Sequence, residues 1–102
     1  MKAYISIPIT GHDEAKQRQI AGRIETMLHD MGYDTVNPFN LSDRLKMMSG
    51  RTPTYNECLE YDLLALEQCD MIFMCYGWAE SYGCRTERQK AKYAGLEIVY
   101  QY

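Results

Sequence analysis

The sequence predicts an α/β domain in which helices cover both faces of a mainly parallel sheet of about four strands. Short segments rich in β-branched and aromatic residues alternate with segments whose apolar residues recur at helical spacing. This alternation favours parallel strands joined by right-handed crossovers. The length of 102 residues suits one hydrophobic core, so we expect a single domain over residues 1–102.

The amino-terminal half begins with a strand, a turn and a helix. Lys2–Ile7 alternates in character and is rich in β-branched and aromatic residues, which predicts a strand. Residues 10–13 supply capping side chains for a helix that we expect to end at Gly32, in the C′ position. Tyr33–Val36 is predicted as a second short strand, which Asn37-Pro38 ends.

Residues 39–53 have the composition of a loop, apart from a possible helical turn at Leu41–Met48. A connection this long usually has a function, so its basic residues either form a mobile lid over phosphate or are simply solvated. The later elements are predicted to be a helix from Thr54 to about Cys69, a strand at Met71–Cys75, a helix at Ser81–Ala94 and a strand at Glu97–Tyr100.

Composition and charge exclude several functions. A net charge of −3 and a pI near 5.3 disfavour a protein that grips polymeric nucleic acid, which needs clustered Lys and Arg. The four cysteines stand singly, without metal-ligand spacing, so we expect reduced thiols and no metal. No stretch reaches the 18 or more apolar residues of a membrane span, and we expect no membrane partner and a cytoplasmic location.

Two acidic residues fall on apolar helix faces. Asp62 lies within the apolar stripe of its helix, and Glu87 lies on the face that Cys84 and Ala91 mark. Burying a carboxylate is costly, so each position needs a reason. One alternative is structural, with each carboxylate bonded to backbone amides or tyrosine hydroxyls. The other is a pair with separated pKa values at the ligand end of the sheet, as in retaining glycoside chemistry.

Further candidate contacts flank these acids. Gly83 removes a side chain where a ligand would approach the backbone, and Ser81 either only caps the last helix or also binds an anion there. Trp78 either flanks a base or ribose or packs at the sheet edge. The first strand and the turn after it, whose backbone amides would face the same crevice, add Tyr4, Ser6, Pro8, Ile9, Thr10 and Gly11.

Four parts of the chain together resemble the nucleoside 2-deoxyribosyltransferase-like superfamily, and most closely its DUF4406 branch. They are Tyr-Ile-x-x-Pro-Ile-Thr-Gly at Tyr4–Gly11, Asn37-Pro38, Asp62, and Gly-Trp-x-x-Ser-x-Gly-x-x-x-Glu at Gly77–Glu87. The resemblance implies a three-layer Rossmann-like or flavodoxin-like fold. It also implies that Glu87 attacks C1′ of a nucleoside, while Asp62 positions the sugar or protonates the leaving base.

The resemblance also implies a substrate class. Members that act on free nucleosides tend to have Asp six residues before the nucleophile, whereas those that hydrolyse nucleoside 5′-monophosphates have Ser, as at Ser81. The implied function is an N-glycosidase, or a deoxyribosyltransferase, that acts on nucleoside 5′-monophosphates without a metal or other cofactor. The alternatives are a noncatalytic nucleotide-binding or sensing module and a phage-type interaction protein. Such proteins are often homo-oligomers, which we also expect here.

Overall fold

The computed structural model describes residues 1–101 and contains a sheet of four parallel strands between two layers of helices. The strands are β1 (Lys2–Ser6), β2 (Asp34–Val36), β3 (Met71–Met74) and β4 (Glu97–Tyr100), in the sheet order β2-β1-β3-β4. The helices are α1 (Glu14–Asp30), α2 (Pro38–Ser49), α3 (Tyr55–Leu66) and α4 (Tyr82–Ala94), with a short 3-10 turn at Trp78–Glu80. The predicted α/β class with a parallel sheet is confirmed, and the architecture is Rossmann-like.

The central strand β1 divides the core into two parts. Ala3 and Ile5 pack on one face of the sheet with apolar residues of α1. Tyr4 points to the opposite face, because successive side chains of a strand alternate, and there it packs with Cys84 and Ala91 of α4. The same alternation directs Ser6 toward the α4 side of the sheet.

Residues 39–53 differ from the sequence prediction, because most of this segment belongs to the 12-residue helix α2. Asn37 is its N-cap and accepts a hydrogen bond from the backbone N–H of Phe39 at 3.0 Å, and Pro38 occupies the first turn. Proline is favoured at that position because its missing N–H would be unpaired in any case. Gly50 ends the helix with a φ of 70°. The pair that ends β2 therefore also begins a helix.

Buried apolar contacts hold α2 in place. Phe39 packs into the core on the α1 side of the sheet, and Leu41 packs into the core on the α4 side. Asn40, Arg44 and Lys46, which suggested a loop, are exposed residues of this helix instead.

The chain crosses the sheet in two directions. From β1 it passes to its neighbour β2, and from β2 it returns past β1 to β3 and then β4. The strand order therefore reverses between β1 and β3, and the crevice beyond their carboxyl ends is where such sheets bind ligands. No helix within residues 1–101 has the length and apolar character needed to cross a membrane.

Candidate active site

Glu87 lies in the second turn of α4, on the face packed against the sheet, and only 6% of its surface is exposed. The hydroxyl of Tyr4 donates a hydrogen bond to Oε2 at 2.5 Å, and the hydroxyl of Ser6 donates one to Oε1 at 2.8 Å. Tyr4 and Ser6 are two residues apart on β1, so both side chains point toward α4. One strand thus supplies a donor to each oxygen of this carboxylate.

Burial and hydrogen bonding act in opposite directions on Glu87. Burial disfavours the charged carboxylate and raises its pKa to about 7, although the hydrogen bonds from Tyr4 and Ser6 oppose this rise. The pKa of the Tyr4 phenol is raised well above its usual value, first by burial and then by the negative charge of Glu87. Tyr4 therefore keeps its proton and remains a hydrogen-bond donor at neutral pH.

Asp62, on α3, is the second carboxyl of this site. It is partly buried, and burial followed by the charge of Glu87 raises its pKa to about 8. Because the two carboxyls influence each other, their protons leave in two steps that belong to the pair. Near neutral pH the pair can therefore hold one proton while it keeps one negative charge.

A cavity of about 580 Å³ opens beside these carboxyls. Its size lies within the range of small-molecule sites, and it lies where the strand order reverses. The residues that line it are Ile7, Ile9, Thr10, Pro38, Ser42, Pro53, Tyr55, Cys58, Leu59, Asp62, Glu80, Ser81, Tyr82, Gly83, Cys84 and Glu87. Three carboxyls belong to this lining, whereas no Lys or Arg among residues 1–101 does.

Most residues singled out in the sequence come together at this cavity. Those in its lining are Glu87, Asp62, Ile9, Thr10, Ser81 and Gly83. Tyr4 lies behind Glu87 and reaches the site through its hydrogen bond. The buried Pro8 accepts a hydrogen bond from Gln17 Nε2 through its carbonyl at 2.7 Å and lies outside the lining.

Gly11 and Trp78 also lie outside the lining. Gly11 is exposed in the turn that leads to α1, with a φ of 83° that favours glycine. The indole of Trp78 packs against the ring of Tyr100, with 5.5 Å between ring centroids. The guanidinium of Arg88 lies 5.1 Å from the centroid of the Trp78 ring and donates a hydrogen bond to the Tyr100 hydroxyl. These contacts fix the turn after β3 against β4.

Ser81 is the N-cap of α4, since its Oγ accepts a hydrogen bond from the backbone N–H of Cys84 at 3.3 Å. A hydroxyl can accept one hydrogen bond and donate another. The capping role therefore leaves the Ser81 proton available to a ligand in the cavity. The two alternatives considered for this residue are compatible.

Part of the lining was not predicted from the sequence. Ser42 was overlooked because residues 39–53 were predicted mainly as a loop, and Pro38 because it was interpreted only as part of the pair that ends β2. Tyr55 was also overlooked, although the sequence contains a signal for it. It lies seven residues before Asp62 and therefore shares a helix face with Asp62, Cys58 and Leu59. Tyr55 continues the helix face of Asp62 two turns closer to the start of α3.

Known proteins were compared with both the sequence and the fold. No match was found among curated protein sequences. One solved structure with a similar fold is described as "Structure of Clostridium botulinum CMP N-glycosidase, BcmB". It has a TM-score of 0.64 and 16% sequence identity, and the alignment covers 98% of this chain and 67% of that one.

At this level of identity the match shows a shared Rossmann-like fold. The sequence itself matches the model of a family described as "Domain of unknown function (DUF4406)" over residues 1–100, nearly its full length. The chain therefore belongs to the DUF4406 family.

Proposed function

We propose that this protein is an N-glycosidase of nucleoside 5′-monophosphates in which Glu87 is the nucleophile. The observation that carries the proposal is the buried Glu87 carboxylate, held by Tyr4 and Ser6 at a cavity that also contains Asp62. A deoxyribosyltransferase would share the first step and differ only in the acceptor. The fold similarity to a CMP N-glycosidase supports the choice of substrate class.

The two carboxyls have complementary roles in the proposed reaction. The ionised Glu87 forms a bond from its oxygen to C1′ of the sugar while the bond from C1′ to the base nitrogen breaks. The electron pair stays on the base, and Asp62 donates the proton that neutralises it. Water then attacks C1′, the ionised Asp62 accepts a proton from it, and the bond to Glu87 breaks. The products are the free base and a sugar 5-phosphate.

The protonation states of the two carboxyls suit these roles. Glu87 accepts hydrogen bonds from Tyr4 and Ser6 and supplies the negative charge, whereas Asp62, whose pKa burial and the charge of Glu87 raise, retains the proton. A nucleophile and an acid are thus both present near neutral pH. The hydrogen bonds from Tyr4 and Ser6 stabilise the ionised form of Glu87 before attack.

Base release provides the test. The protein is incubated with a panel of ribonucleoside and deoxyribonucleoside 5′-monophosphates that includes CMP, and the free base is measured by chromatography. We expect release from at least one of them, and Glu87→Ala should lower the rate by 1000-fold or more, on the order of the loss of a covalent nucleophile. Glu60→Gln, which changes an exposed carboxyl on α3, serves as the control.

Two results would contradict the proposal in different ways. Release that persists in the Glu87→Ala protein would refute the nucleophile but not the activity. Binding of a nucleotide without any base release by the wild-type protein would refute the enzyme and favour the noncatalytic nucleotide-binding module. Calorimetry of the same panel distinguishes that second case from a complete lack of binding.

A further inference from the structure

We propose that the hydroxyl of Tyr55 is a specificity-determining contact that donates a hydrogen bond to the 5′-phosphate of the substrate. This inference rests on the proposed function and assigns a role to a residue outside the motifs that suggested it. Four observations carry it: the position of the hydroxyl, the space that Gly83 leaves, the absence of a protein partner and the charge of the cavity lining.

The start of α3 lies beside the start of α4 at the cavity. Tyr55 is the first residue of α3, and both it and Ser81 line the cavity. A Cβ built on Gly83 would lie 3.1 Å from the Tyr55 hydroxyl oxygen and 4.0 Å from Ser81 Oγ. Both hydroxyls therefore lie beside Gly83, close enough to contact one group of a ligand.

The lack of a side chain at Gly83 is what admits the Tyr55 hydroxyl. A distance of 3.1 Å is tighter than an ordinary contact of a Cβ, so a side chain at position 83 would shift this hydroxyl by a few tenths of an ångström. The glycine was expected to let a ligand approach the backbone. The structure adds that it lets a neighbouring helix place a donor in the site.

The Tyr55 hydroxyl is available to a ligand. Among residues 1–101 it forms no hydrogen bond with another side chain or with the backbone, and the ring is about half exposed at the cavity. Burial, and then the negative charge of Glu87, raise the pKa of this phenol. It therefore stays protonated at neutral pH and can donate to a phosphate oxygen.

The charge of the lining makes such a donor important. Asp62, Glu80 and Glu87 line the cavity without a Lys or Arg among residues 1–101, so the described lining offers a phosphate no ionic partner. Neutral donors of the lining can supply the recognition, because hydrogen bonds to a charged acceptor are the strong ones. The donors at this end include the hydroxyls of Tyr55 and Ser81.

The test measures how well the protein distinguishes a nucleotide from its nucleoside. Binding of CMP and of cytidine is measured by calorimetry in Glu87→Gln protein, which does not consume them, with and without Tyr55→Phe. If another monophosphate is the best substrate of the panel, it replaces CMP with its own nucleoside. We expect Tyr55→Phe to weaken nucleotide binding about 10-fold or more and to leave nucleoside binding unchanged.

Two further variants separate this contact from a general structural effect. Tyr93 on α4 is 84% exposed and lies outside the cavity lining. Tyr93→Phe should therefore leave the discrimination between nucleotide and nucleoside as it is in the Glu87→Gln protein. Gly83→Ala should reduce the discrimination by displacing the Tyr55 hydroxyl. Gly83→Ala should reduce the discrimination between nucleotide and nucleoside less in the Tyr55→Phe protein, because the oxygen that the alanine Cβ would contact is absent.

Each outcome bears on the inference in a distinct way. Nucleotide binding that Tyr55→Phe leaves unchanged overturns the role of Tyr55 and leaves the proposed function intact. Equal loss of nucleotide and nucleoside binding overturns the role in phosphate recognition. If the Glu87→Gln protein binds no nucleotide or nucleoside of the panel, the proposed function fails and this inference fails with it.

Discussion

At the scale of single residues, the arrangement around Glu87 resolves a conflict between burial and charge. Burial would keep this carboxyl neutral, whereas the hydroxyls of Tyr4 and Ser6 favour its ionised form. The result is a group that titrates near neutral pH rather than near its ordinary value of 4.5. A carboxyl of this kind is ready to react and also sensitive to pH.

The activity should show a bell-shaped dependence on pH. Below about 7 the Glu87 carboxylate takes up a proton and can no longer attack, and above about 8 Asp62 loses the proton that the leaving base needs. The rate of base release measured from pH 5 to 9.5 should therefore peak between these values. Asp62→Asn should remove the limb at high pH, and a flat profile above pH 8 in the wild-type protein would contradict the role of Asp62 as the acid.

At the scale of elements, the start of α4 combines a structural and a recognition function in one residue. Ser81 caps the helix through its oxygen and retains a proton for the cavity. Neighbouring α3 begins with a reciprocal capping box between Thr54 and Glu57, which fixes the position of Tyr55 at its first residue. Side-chain caps thus hold both helix starts where a ligand would meet them.

Substitution of Ser81 should separate capping from recognition. Ser81→Asp keeps a good N-cap and adds a negative charge at the helix N-terminus, so thermal stability should be unchanged or higher. The same charge should repel a 5′-phosphate, so calorimetry in the Glu87→Gln protein should show loss of CMP binding and retention of cytidine binding when Ser81→Asp is added. Ser81→Ala should instead lower the free energy of unfolding by about 1 kcal/mol. Unaltered CMP binding in the Ser81→Asp protein would exclude a phosphate near this residue.

At the scale of the whole molecule, the crossovers bring distant parts of the chain to one crevice. The segment after β1, the segment after β3 and the first turns of α2 and α3 all contribute to the cavity lining. The reversal of strand order between β1 and β3 creates the space between these segments. The site is therefore a product of the topology and depends on the stability of the complete fold.

The two raised pKa values predict how that stability depends on pH. Glu87 and Asp62 hold protons in the folded state up to about pH 7 and 8, whereas in the unfolded chain they lose them near 4. This contribution to stability is therefore fully present below about pH 4 and is lost as the pH rises to about 8. Urea unfolding should give a lower free energy of unfolding at pH 8 than at pH 5.5.

Removing the charge at position 87 should reverse part of this loss. Glu87→Gln should raise the free energy of unfolding at pH 8 by on the order of 1 to 3 kcal/mol and should flatten its pH dependence. Glu60→Gln should produce neither the rise in the free energy of unfolding at pH 8 nor the flatter pH dependence, because that side chain is exposed. A Glu87→Gln protein that is less stable than the wild type at pH 8 would contradict the cost assigned to burying this carboxylate.

Local periodicity by itself determined the α/β class and the inward orientation of Asp62 and Glu87. Both follow from the spacing of neighbours within one helix or strand, which a sequence displays directly. The start of α2 was misjudged because Asn37-Pro38 both stops a strand and starts a helix, and only the burial of Phe39 and Leu41 stabilises the helix that follows.

Only the tertiary structure revealed which groups meet. Tyr4 and Ser6 lie 83 and 81 residues from Glu87 in the chain, and no local pattern specifies that their hydroxyls hold its two oxygens. The approach of Tyr55 to Gly83 likewise depends on how α3 and α4 pack on the same face of the sheet. Contacts between such distant residues are set by strand order and crossover direction, which the local pattern of side chains does not encode.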